Sequence, residues 1–147
     1  MSNCVVWKIR RAARVLTRLY DEALAPSGLT SVQLGTLDVL SEMGPSTLAQ
    51  IAEANGHERS ATWRGLQPLI RKEFVRQSQT RGRAGRYEIS ETGVEVLKTA
   101  LMHWREMQQR VLAELGGDID DLTAKVDALE TEKRSPRRRR AASSLTT

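Results

Sequence analysis

Cysteine and histidine are scarce in this sequence, and each scarcity excludes a class of chemistry. One cysteine, Cys4, has no partner for an internal disulfide and suits a reducing compartment. His57, His103 and Cys4 are too scattered to match any ligand spacing, so no metal is expected. No apolar run approaches the ~18 residues that suggest a membrane span, and no membrane partner is expected. The opening Met1-Ser2-Asn3-Cys4 lacks the basic-then-apolar layout of a signal peptide, so a cytoplasmic location is expected. The sequence pairs no nucleophile with a base, forms no glycine-rich phosphate loop and clusters no His with Asp. It therefore reads as no enzyme and implies no cofactor.

What is present is charge, unevenly spread. A chain of 147 residues can bury one sound core without staples. Its net charge of +5 hides a division into three blocks. Residues 1–86 hold 13 Lys/Arg against 7 Asp/Glu, residues 87–132 hold 4 against 11, and residues 133–147 hold 6 against none. Two basic blocks flank an acidic one, so a polyanion is the expected partner for part of the surface.

Periodicity predicts six helices and one hairpin. Val5, Ile9, Ala12, Leu16, Leu19 and Ala23 form one helical stripe, stopped by Pro26 and Gly28. Thr30 with Gln33 is a capping-box pattern opening a second helix with Leu34, Leu37 and Leu40 inward. Ser46 is expected to cap a short third helix, Thr47 to Ala54, closed by the Asn55-Gly56 turn. A fourth helix is expected from about Glu58 to Glu73, buried along Thr62, Leu66, Leu69 and Ile70, with a kink or tightened turn at Pro68. Phe74 to Gln79 and Gly85 to Ser90 read as a hairpin with a glycine-containing tip. Ser90 then caps a long helix whose Leu97, Leu101, Trp104, Gln108, Val111 and Leu115 make a heptad-like seam. Ile119, Leu122, Val126 and Leu129 line a last helix, and from Ser135 onward Pro, Arg, Ser and Thr predict a disordered tail.

Helix, tight turn, helix and basic hairpin is the layout of a winged helix-turn-helix, in which the fourth helix presents its outer face to a major groove. Segment 59–86 holds eight Lys/Arg and one acid, Glu73, a focused phosphate-binding footprint. The alternative for a charge run alone is a solvated helix face beside a basic loop. The fold class predicted is mainly α with a small β-hairpin wing, a winged helix-turn-helix joined to a helical dimerisation domain. The expected division is residues 1–28 and 91–133 for dimerisation, 29–90 for DNA binding and 134–147 as a basic tail.

Leu48-Ala49-Gln50-Ile51-Ala52-Glu53 resembles the "L-x-x-L-A-E" third helix of the MarR family of transcriptional regulators. Arg59 to Leu69 resembles its recognition helix, in the branch ending "N-L-K-P-L". Glu73-Phe74-Val75-Arg76 is similar to "G-L-V-R", Ile89 to Gly93 to "L-T-x-x-G", and Arg10 to Asp21 to a common first helix of the family. The likeness covers roughly residues 4 to 130, and it is the order and spacing of these motifs that carries it. One departure is the wing triplet "D-x-R", here Arg81-Gly82-Arg83: the minor-groove arginine is kept as Arg83, and a positive charge replaces the acid. Another is Trp63, where the family often has a small hydroxyl residue. Its indole either faces DNA, on a sugar or a thymine methyl, or fills core space beside Leu66.

The resemblance implies a homodimer on a pseudo-palindromic site of double-stranded DNA, a repressor released by a small aromatic or phenolic acid. The DNA-contacting residues would be Arg59, Ser60, Ala61, Trp63, Arg64, Arg81, Arg83 and Arg86. The apolar seams point independently to self-association, through Val5, Ile9, Leu97, Leu101, Trp104, Val111, Leu115, Leu122 and Val126. The resemblance places the effector in a cleft lined by the first, second and fifth helices. Arg10, Arg14 and Arg18, four residues apart, could offer a guanidinium fork to its carboxylate, with Trp7, His57 and His103 as further candidates; the alternative is a solvated basic face.

Two other functions are weighed. One is a non-specific or architectural nucleic-acid binder using Arg137 to Arg140. The other is a thiol-based redox sensor acting through Cys4. The family's peroxide-sensing branch has a cysteine in this helix, but counting back from Thr17 and Tyr20 puts that position at Val6. Its helix-two tyrosines are here Ser31 and Leu34, and no basic residue precedes Cys4 to lower its pKa.

Overall fold

The computed structural model describes residues 4–78, 85–116 and 119–133. The wing-tip residues Arg81 and Arg83 and the tail 134–147 lie outside them. The chain divides into two compact units, residues 1–108 and 109–147.

The first unit begins with α1 (Val5–Leu24). The stripe expected to be buried is covered only toward its end: Leu24 is fully buried, Leu16, Leu19 and Ala23 are half-buried, and Val5 and Ile9 are exposed. A single 3-10 turn (Ala25–Ser27) and Gly28, in left-handed geometry at φ 67°, reverse the chain. Next comes α2 (Ser31–Met43), with Thr30 and Gln33 forming the expected reciprocal capping box. The Asp21 carboxylate adds a further acceptor at this helix start, taking the Ser31 N–H at 2.7 Å and so tying α1 to α2.

The third helix corrects the sequence reading. Ser46 and Thr47 form a short strand, β1 (Ser46–Thr47), and α3 (Leu48–Ala54) is capped by Thr47, whose hydroxyl accepts from the Gln50 N–H while Gln50 Oε1 accepts from the Thr47 N–H. The spacing decides it, because the box needs its glutamine three residues after the cap. Ser46 is buried instead, and its hydroxyl donates to the Gly44 carbonyl at 2.9 Å.

The fourth helix, α4 (Arg59–Arg71), runs on through Pro68, whose carbonyl accepts the Lys72 N–H at 3.0 Å. It stops short of Glu73 because that residue turns left-handed, with φ 58°. Strands β2 (Val75–Ser78) and β3 (Arg86–Ile89) pair antiparallel, Val75 opposite Ile89 and Gln77 opposite Tyr87. The wing is more than the expected hairpin: β1 adds to the far side of β3, Ser46 opposite Tyr87, to give the order β1-β3-β2. Two residues carry no periodicity signal, so this strand was not legible in the sequence.

Helix α5 (Glu91–Leu115) starts from Ser90, whose hydroxyl accepts the Gly93 N–H at 3.0 Å. The core gathers Leu24, Leu29, Leu34, Leu37, Leu40, Ile51, Leu66, Leu69, Val75, Tyr87, Leu97 and Ala100, with Leu101 and Trp104 packed against it. This corrects the dimer seam. Leu97 is only 4% exposed and belongs to the chain's own core, since the start of α5 is tied through Ser90 to the carbonyl of Glu73 just past α4. The second unit holds the end of α5 and α6 (Ile119–Lys133), which exposes Leu122, Val126 and Leu129.

Candidate nucleic-acid interface

Two close approaches on α2 seat α4 and α3. A Cβ on Gly65 would come within 3.1 Å of Val32 Cγ1 on α2, so the missing side chain lets the two helices draw together. A Cβ on Gly35 would fall 2.7 Å from Asn55 Oδ1, where α3 meets α2. The inner side of α4 then buries Thr62, Leu66 and Leu69. Its outer side leaves Arg59, Ser60 and Arg64 exposed, with Ala61 half-buried. The helix start has no side-chain cap, so its first N–H groups keep their capacity to meet an anion.

Trp63 is neither fully open nor buried. It is 42% exposed on the outer side, yet its ring lies 6.5 Å from that of Tyr87 at 59°. Tyr87, buried in the central strand, is a support that the sequence reading did not name.

The basic residues of the segment divide by task. Arg71 and Arg76 are exposed. Lys72 donates to the Gly28 carbonyl at 2.9 Å and lies 6.0 Å from the Phe74 ring centre, tying the end of α4 to the turn before α2. Arg86, expected at the DNA, is half-buried and donates to the Pro45 carbonyl at 2.8 Å. At least one of its N–H groups thus braces the loop before β1.

Two of the residues expected to hold an effector, Arg14 and Arg18, share a groove. This groove of about 690 Å³ runs along the end of α1, lined by Ala13, Arg14, Thr17, Arg18, Asp21, Glu22 and Ala25. It unites Arg14 and Arg18 but includes no residue of α2 or α5, and Trp7, Arg10, His57 and His103 do not line it. Arg18 is 3.7 Å from Glu22 in an exposed pair, and Trp7 carries the Arg11 guanidinium at 5.9 Å. Tyr20, on the same helix, donates its hydroxyl to Gln108 Oε1 of α5, and burial raises its pKa above 10.0. Cys4 is exposed. Among the described residues no group of three or more His, Cys, Asp or Glu could hold a metal, and no helix is long and apolar enough to cross a membrane.

Residues 27–84 match the model of the MarR family. No curated protein sequence matches the chain. Among solved structures, the M. tuberculosis transcriptional regulator MosR is 34% identical, with a TM-score of 0.72, over 86% of this chain and 97% of that one. MosR in complex with DNA gives 35% identity and a TM-score of 0.71 over 86% and 98%. Bordetella bronchiseptica BpsR, solved to explain regulation of its DNA binding by 6-hydroxynicotinic acid, shares the fold at 18% identity, with a TM-score of 0.72 over 90% and 96%.

Proposed function

The chain belongs to the MarR family of transcription regulators, and on that premise we propose that it is a homodimer that represses transcription from a pseudo-palindromic operator until a small aromatic or phenolic acid releases it. It is a regulator and not an enzyme. The observation that carries the DNA part is the outer side of α4, where Arg59, Ser60 and Arg64 are exposed and Trp63 stays partly open, while Thr62, Leu66 and Leu69 are buried on the other side. Arginine at such a helix can meet phosphate or the guanine edge. Arg81 and Arg83, in the sequence joining β2 to β3, would add their charge to this basic surface, and DNA binding as such is supported by MosR, which was solved in complex with DNA.

Self-association rests on apolar surface. Val5, Val6, Trp7 and Ile9 of α1 are exposed, as are Leu115, Leu122, Val126 and Leu129 of the second unit. Residues 1–28 and 91–133 would form the dimerisation region, setting two copies of the 29–90 region about one DNA turn (~34 Å) apart. Residues 134–147 would add a basic arm for phosphate, and the dimer would act on the chromosome in the cytoplasm. The effector part rests on Arg14 and Arg18 in the α1 groove, whose guanidinium forks suit a carboxylate, and on BpsR, which answers to an aromatic carboxylate.

Genome-wide mapping of bound DNA, followed by titration of the recovered sites, tests the proposal. At physiological salt the recovered sites should bind at least about a thousandfold more tightly than random duplex. Equal affinity for both would make the chain a non-specific binder.

A further inference from the structure

Resting on the reading that α4 enters the major groove, we infer that Trp63 reads a thymine by packing its indole on the base's C5-methyl group. Position comes first. Trp63 lies beside Arg64 and four residues after Arg59, off the buried line of Thr62, Leu66 and Leu69, so it shares the surface that would face DNA. Exposure comes second. Tryptophan is usually well buried, yet this one keeps 42% of its surface open on an otherwise polar helix side.

Its packing comes third. Tyr87, at 6.5 Å and 59°, backs the indole from within a sheet whose register sets Tyr87 between Ser46 and Gln77. The ring therefore has an aromatic packing partner on one side and open surface on the other. The indole offers one N–H donor and no acceptor, so most of what it presents is apolar. On the base edges of a major groove the apolar group available to it is the thymine methyl. Arg59 and Arg64 supply charge on either side, and Trp63 supplies a preference that charge alone cannot.

Duplexes enriched by the wild-type chain from a random-sequence pool are the probe. Each thymine of a half-site is replaced in turn by deoxyuridine, which removes the methyl and nothing else. At one position in each half-site the replacement should weaken wild-type binding about fourfold per methyl. Trp63→Ala should bind the thymine and deoxyuridine duplexes equally there, and Trp63→Phe should keep part of the difference. Should Trp63→Ala fail to fold, judged by its thermal melt, reduced discrimination by Trp63→Phe is the required result. Wild-type indifference to every deoxyuridine, with affinity lost in Trp63→Ala, would mean that the indole packs on a sugar and would overturn the inference. Full thymine discrimination retained by Trp63→Ala or by Trp63→Phe would overturn it as well. A pool that yields no enriched sequence is a different failure, because it removes the DNA reading itself.

Discussion

Ser90 joins two elements through one hydroxyl. It donates to the Glu73 carbonyl at 2.7 Å and accepts from the Gly93 N–H at 3.0 Å, so the end of α4 and the start of α5 are fixed together. Gly93 cannot be enlarged here, because a Cβ would lie 2.2 Å from the Phe74 carbonyl oxygen, which is backbone and cannot step aside. Gly93→Ala is expected to destabilise the fold by about 2–3 kcal/mol, read as a lower urea midpoint with an unchanged slope. Glu73 is the opposite case. Its φ of 58° strains any side chain, by about 1 kcal/mol or more, and asparagine tolerates this geometry better. Glu73→Asn should therefore raise the melting temperature by about 2–4 °C; a fall would show that the glutamate side chain stabilises the turn in some other way. Tyr20 titrates with a defined sign. Burial raises its folded pKa above the ordinary 10.0, so the stability it contributes is complete below pH 10.0 and is lost as pH rises through the folded value. Urea titrations across this alkaline range should show stability falling more steeply in the wild type than in Tyr20→Phe.

At the scale of elements, most of the fold was legible because it is written in periods and caps. The Thr30/Gln33 box and the Ser90 cap sit where the pattern put them, and α1 matches its expected span from Val5 to Leu24. The third helix was harder because two hydroxyls stand side by side. Only Thr47 has Gln50 three residues on, and Ser46 is taken by the sheet. Thr47→Ala is expected to lower stability by about 1 kcal/mol through loss of the cap, measured by denaturant unfolding. The seam on α5 was read too far in one place. A heptad pattern says that a face is covered without saying by what, and Leu97 is covered by the chain's own core, with Leu101 and Trp104 half-buried against it. The candidate interface was legible as a run of arginines, Arg59 and Arg64 among them, but not as a division of labour. That Lys72 and Arg86 reach back to the carbonyls of Gly28 and Pro45, 44 and 41 residues away, is a tertiary fact with no local signature.

At the scale of the whole molecule, the surfaces left over matter most. Ile9 is 44% exposed and Leu97 only 4%, although both lie on apolar stripes. Ile9→Glu should therefore leave the folded monomer intact and weaken self-association in sedimentation equilibrium, whereas Leu97→Glu should unfold the chain. Recognition of a DNA sequence by the outer side of α4 is tested most directly by competition between a selected operator and random duplex at physiological salt, run with the wild type and with Arg64→Ala. The wild type should prefer the operator by about a thousandfold or more, and Arg64→Ala should reduce that preference about tenfold or more, as expected for one lost base contact. Equal binding of both duplexes by the wild type, or an undiminished preference in both Arg64→Ala and Arg59→Ala, would contradict it.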